Sequence, residues 1–217
     1  MNFKLTKNCL TTRVRALFIV LLALYSSGCS ALSYDDQPIL GVMAPLPDEL
    51  VCRVAVLPFI NDSKYPQGDI IATKIFSAQF QNVEGSLEIQ EGDILKVYRQ
   101  LHIFPGVAPN LDQLQIIADR VNAQLLITGI VIEMREDRGL DGTVGPLVIL
   151  EVQIHDGRTG EPLSKTYHRR RGSDYTKVMH FGTIHSVSGL TRQIALEIIN
   201  LWFKKGLMQC NNDSPRS

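Results

Sequence analysis

Few residues in this chain could do chemistry, so their spacing decides what is open to it. "HSVSGL" (185–190) sets Ser186 beside His185, the residue types of a nucleophile and its base. A serine nucleophile also needs a strand–elbow–helix turn to project its hydroxyl, and that context is missing. His180 and His185 stand five apart, about 140° around a helix, so they do not align as metal ligands. "GTVGP" (142–146) lacks the spacing, the lysine and the following helix of a phosphate-binding loop. Together with His102 and His155, these residues read as solvated or hydrogen-bonded structure. The expectation is no enzyme, no cofactor, no metal and no small-molecule substrate.

One charged feature suggests binding. In "YHRRR" (167–171), strand alternation puts Tyr167, Arg169 and Arg171 on one face and His168 and Arg170 on the other. The first set could grip an anionic glycan, a phospholipid headgroup or an acidic partner. The plainer reading is a charged edge strand that repels unwanted pairing.

The cysteines speak to location. Lys4, Lys7, Arg13 and Arg15 precede the apolar run "ALFIVLLALY", which is followed by Ser26, Ser27, Gly28 and Cys29. This is the order of a secretion signal. Ten helical residues span about 15 Å, roughly half a bilayer core, which disfavours a spanning helix. The small-small-Cys ending resembles the lipobox of bacterial lipoproteins, with Ser26 where leucine is usual and Leu24 further back. That resemblance implies cleavage after residue 28 and acylation of Cys29. Because Ser30 rather than an aspartate follows, it also implies anchoring at the periplasmic face of the outer membrane. The alternative is ordinary cleavage that leaves Cys29 a stray thiol. Cys9 would leave with the leader, so Cys52 and Cys210 remain. An even pair in an oxidising compartment suggests a disulfide, the alternative being two separate thiols.

Four of the 22 Lys and Arg residues lie in the leader, leaving 18 basic against 22 acidic side chains, a net of −4. That balance speaks against nucleic acid as a partner. At 45% hydrophobic and 20% charged residues, the chain can form a core.

The elements that must position these residues follow from periodicity. Residues 29–50 read as a lipidated N-terminus and tether of about twenty residues, reaching about 25 Å as flexible coil. In "CRVAVLPFIN" both faces are apolar, the pattern of a central strand. A helix with Ile71, Ile75, Phe76 and Phe80, a short strand "SLEIQ" and a short helix "GDILKVYRQL" come next. Asn110 then caps a helix with Leu111, Leu114, Ala118 and Val121 on one stripe. "QLLITGIVIEMRE" is a strand with Ile132 and Met134 inward, "EDRGLDGTVGP" (136–146) a charged loop, and "PLVILEVQIHD" an alternating strand. "DGRTGEPL" turns a hairpin into "LSKTYHRRR", an edge strand. The last helix, about 186–205, carries one stripe through Val187, Leu190, Ile194, Ile198, Leu201 and Trp202. A second stripe holds Leu196, Ile199 and Phe203, and Gln193, Glu197, Asn200 and Lys204 form a polar wedge. The second stripe is covered either by Ile39, Leu40, Val42 and Met43 folding back or by a partner or sister subunit.

The order "RVAVLPFIN", helix, short strand, helices, "ADRVNAQLLITGIVIE", hairpin and terminal helix resembles the periplasmic domain of CsgG-like curli-secretion lipoproteins. The same domain type occurs in lipoprotein activators of penicillin-binding proteins and at the amino terminus of TolB. The resemblance covers residues 51–206. It implies one α/β domain, a mixed four- to five-stranded sheet with flanking helices, without enzymatic activity. The chain then divides into a signal peptide (1–28), lipidated tether (29–50), domain (51–206) and tail (207–217). A secretion pore would need additional membrane strands of about 9–11 residues, and 136–146 supplies none as read. The expected function is an envelope scaffold or assembly factor of a secretion or appendage machine, working with envelope proteins or as a homo-oligomer. The alternative is an activator of a peptidoglycan synthase.

Overall fold

A computed structural model of the chain describes residues 37–83, 85, 87–104, 106–138, 144–177, 181–207 and 210, without the side chains of 137, 138 and 144. The chain divides into compact units 1–35 and 36–217, and all described residues belong to the second. Cys29 and His180 lie outside the described residues.

The strands are β1 (Ile39–Val42), β2 (Arg53–Val56), β3 (Ile60–Asn61), β4 (Leu87–Glu88), β5 (Leu125–Arg138), β6 (Val144–Asp156) and β7 (Pro162–Arg171). The helices are α1 (Gly68–Gln81), α2 (Glu91–Gln100), α3 (Leu111–Val121) and α4 (Val187–Lys204), with a 3₁₀ turn at Gly172–Tyr175. One open mixed sheet runs β1-β7-β6-β5-β2-β4, and β3 also pairs with β5. β4, β2 and β5 are parallel neighbours; β5, β6, β7 and β1 form an antiparallel meander.

This α/β architecture meets the expectation, but the sheet has seven strands rather than four or five. The short strand read at "SLEIQ" is β4, two residues long; of the additions, β3 is also two residues long and leans on β5. The other addition, β1, lies in the stretch read as tether. Ile39 pairs with Tyr167 and Val42 with Ser164, so β7 is an outer edge only from His168 onward. The loop read at 136–146 is also shorter, because the β5–β6 ladder continues to Arg138 opposite Val144.

β2 is buried on both faces as its pattern requires. Val54 and Val56 enter a core beneath α1 and α4, while Ala55 and Leu57 enter a second beneath α2 and α3. In β6, Val148, Leu150, Val152 and Ile154 all point into the first core. β5 departs from the reading at Ile132, where the register shifts between Val131 and Glu133. This bulge leaves Ile132 exposed, while Met134 returns to the core.

Local signals set the helices. Asn110 and Gln113 exchange side-chain-to-backbone hydrogen bonds at the start of α3, a capping box. The buried stripe of α3 is Leu114, Ile117, Ala118 and Val121, with Leu111 exposed. Ser186 Oγ accepts from the Gly189 N–H at 3.1 Å and caps α4, which accounts for the serine beside His185.

α1 lies along α4, with the Phe80 and Trp202 rings stacked 6.3 Å apart. Where α1 begins, Thr73 Oγ1 accepts from the Phe59 N–H at 2.9 Å and holds that ring inward. The ring fills the space over Gly129, where a Cβ would stand 2.3 Å from it. Gly129→Val is therefore expected to lower the unfolding free energy by about 2–3 kcal/mol in a urea titration, through overpacking. At the hairpin turn Gly160 takes a positive φ of 71°. Gly157 instead permits close approach, since a Cβ there would meet the Ala123 carbonyl at 2.2 Å. The structure joins Cys52 to Cys210, across 158 residues of chain. Among the described residues, no helix is long and apolar enough to cross a membrane.

Candidate interaction surface

β7 sorts its side chains by alternation. Ser164, Thr166 and His168 are buried, Lys165 and Tyr167 half-buried, and Arg169 and Arg171 exposed. Tyr167, Arg169 and Arg171 thus share one face as read, the face opposite α4. Tyr167 lies between Ile39 and Glu151, Arg169 beside Ile149, and Arg171 beside Leu147. Lys165 is neutralised by Glu151 at 2.6 Å, and Arg135 pairs with Glu133 at 3.0 Å. The helices on this face cover only part of it: the second core takes Leu126 from β5 and no side chain from β6 or β7.

A groove of about 160 Å³ lies where the helical cover ends, between Ala108, Pro109 and Leu114 on one side and Thr128, Ile130 and Gln153 on the other. Small-molecule sites usually hold about 300–1,000 Å³, so this groove suits one side chain better than a substrate. His155 on its wall has both ring nitrogens engaged. Nδ1 lies 3.1 Å from the Gly160 carbonyl, which can only accept, so Nε2 accepts from Thr128 Oγ1 at 2.9 Å. Burial lowers the pKa of the ring against the smaller opposing effect of that carbonyl. The imidazole is a neutral strut of the hairpin. A larger cleft, about 450 Å³, opens between α2 and α3. Its arginines are occupied: Arg53 donates to the Asn122 and Val121 carbonyls, and Arg120 to Gln100.

Within the polar wedge of α4, Asn200 and Lys204 are exposed, but Glu197 turns inward. Glu197 Oε2 accepts from His168 Nε2 at 2.5 Å and Arg170 Nε at 3.0 Å, and Oε1 from the Tyr175 hydroxyl at 2.8 Å and Gln193 at 3.2 Å. Arg170 also lies 5.4 Å over the Tyr175 ring. Burial by itself would push the Glu197 carboxyl up, but these four donors outweigh it and bring the pKa down to about 2. Burial, then the bond to Glu197, raises the Tyr175 hydroxyl well above its ordinary value. A carboxylate has about four lone-pair sites, and here all are filled, so Glu197 fastens β7, the 3₁₀ turn and α4 together. Sequence reasoning placed Glu197 in a polar wedge and gave it no partner. The available signal was that His168 and Arg170 share the inward face of β7.

The second stripe of α4 is largely taken up by the fold itself. Ile199 is buried at 3% exposure, Phe203 packs half-buried on the first core, and Leu196 alone is exposed. The β1 segment gives little of the cover: Ile39, Val42 and Met43 stay exposed and only Leu40 of that segment packs on the first core. Among the described residues, no group of three or more His, Cys, Asp or Glu side chains could hold a metal ion.

No protein-family model and no curated protein matches the chain. Solved structures do share its topology. A substituted PelC dodecamer from Paraburkholderia phytofirmans matches with a TM-score of 0.51 at 16% identity, over 75% of this chain and 96% of that one. Lipoprotein GNA1162 from Neisseria meningitidis is fainter, at 0.47 and 16%, over 70% and 99%. The C-terminal domain of LpoB from Salmonella enterica stands at 0.44 and 15%, over 58% and 87%. At such identities the likeness is one of architecture: the chain has the fold of PelC.

Proposed function

We propose that this chain is a non-enzymatic lipoprotein, held by an acylated Cys29 at the periplasmic face of the outer membrane. There it serves as an assembly component of an envelope secretion or appendage machine. The observation that carries this reading is the half-covered sheet face, whose groove suits one side chain and whose buried histidine has both ring nitrogens engaged. Such a face recognises protein surface rather than transforming a substrate. The PelC structure of the same fold is a dodecamer, which supports self-association as the mode of assembly.

The synthase-activator alternative loses ground on length. With β1 in the sheet, the leash from Cys29 to Ile39 is about ten residues, about 17 Å as flexible coil and at most about 36 Å extended. That is short for crossing the periplasm to an inner-membrane synthase.

In cells, Cys29→Ala is expected to move the protein from the membrane to the soluble fraction. An unchanged distribution and an unacylated amino terminus by mass spectrometry would refute the anchor. Light scattering of the detergent-extracted protein is expected to give a mass several times the 24.2 kDa chain. A monomer that crosslinks to a wall synthase would favour the alternative.

A further inference from the structure

We propose that the Arg169–Arg171 corner of β7 docks on the anionic phospholipid headgroups of the membrane that holds the anchor. The inference rests on the lipoprotein reading and adds to it a second contact and an orientation.

The antiparallel register sets the geometry. Ile39 lies opposite Tyr167 and Val42 opposite Ser164, so chain upstream of Ile39 leaves the sheet toward His168–Arg171. The described chain begins at Gln37, two residues before the strand. Ten residues separate Cys29 from Ile39, so an acyl chain on Cys29 would hold this corner no more than about 36 Å from the bilayer, the fully extended limit.

The corner has the chemistry for that surface. Arg169 and Arg171 are exposed on one face, and among the described residues no carboxylate lies in ion-pair range of either. Farther along the strand Lys165 is already neutralised by Glu151, which confines the free positive charge to the end nearest the anchor. Exposed apolar groups flank it. Ile39 is 69% exposed beside Tyr167, and Phe181 is 75% exposed, three residues from Ile184, whose N–H donates to the Gly172 carbonyl. Guanidinium groups beside apolar side chains suit the boundary between phosphate and acyl chain. The exported chain is otherwise net acidic, so attraction at this corner would turn its face to the membrane and leave the α1–α4 side toward the periplasm.

The test uses the mature chain from residue 29 carrying Cys29→Ser, so that no lipid contributes, with vesicles of phosphatidylglycerol and phosphatidylcholine. It should cosediment with the mixed vesicles, release as salt rises, and ignore pure phosphatidylcholine. Arg169→Glu with Arg171→Glu, retaining the parent melting curve, should bind about thirtyfold less, from roughly fivefold per basic residue. Equal binding by parent and variant, or none by the parent, would overturn the proposal. Binding that appears only after Asp35→Asn with Asp36→Asn would also overturn it, by giving the arginines to the acidic pair of the chain itself. Because the Cys29→Ser chain carries no anchor, any of these failures leaves the membrane-fraction result for Cys29→Ala standing.

Discussion

Urea unfolding of the Cys52→Ser, Cys210→Ser double variant is expected to show a loss of about 3–4 kcal/mol against the oxidised parent. The bond spans 158 residues, and closing a loop of that length removes unfolded-chain entropy worth up to about 5 kcal/mol, usually less in practice. The native side supports a large share of that figure. Val51 and Leu207, near the two cysteines, are both buried in the first core, so the crosslink joins segments that already pack. Reduced parent and double variant should unfold together. If reduction leaves the midpoint unchanged, the bond contributes nothing.

Replacing Glu197 is the second large effect. Glu197→Ala strands His168, which is 2% exposed, together with Arg170 and the Tyr175 hydroxyl. Breaking a buried hydrogen-bonded charge pair costs about 3–5 kcal/mol, and the 19% exposure of Glu197 places the expectation near about 3 kcal/mol. The same cluster sets a response to acid. Burial raises the Glu197 pKa, and the donors more than reverse this, taking it from 4.5 to about 2. A carboxyl with a depressed folded pKa stabilises fully above its unfolded value and loses that contribution as pH falls through the folded one. The parent should therefore lose about 3 kcal/mol between pH 4.5 and 2 through this group, a slope that Glu197→Gln should lack. Parallel profiles would show that the carboxylate is not the source.

Where patterns are local, the sequence was readable. The two apolar faces of β2, the alternation of β6, the Asn110 cap and the inward–outward sorting of β7 all depend on neighbours within a few positions, and each stands as read. What escaped depends on distant partners. β1 is four residues ahead of prolines and becomes a strand because β7 offers an edge. Glu197 looks solvent-facing on a helical wheel until a strand 27 and 29 residues away brings Arg170 and His168 beneath it. Both stripes of α4 were visible, but their neighbours were not: α1 lies along α4, and its Phe80 meets Trp202 across more than half the domain sequence. The bulge at Ile132 adds one residue to a pattern that otherwise alternates.

The short strand β1 also bears on mechanics. A pull on Gln37 directed away from the domain meets a four-residue strand whose first pair, Ile39 with Tyr167, lies at the loaded end. Its bonds open one pair after another, the weakest way to strip a strand. Freed, residues 39–51 give about 45 Å of slack. The pull then reaches Cys52, which is fastened to Cys210, and strain passes into the tail behind α4 before β2 is disturbed. If the chain is held at Cys29 as proposed, β1 can pay out line under such a pull and reel it in when the pull ends.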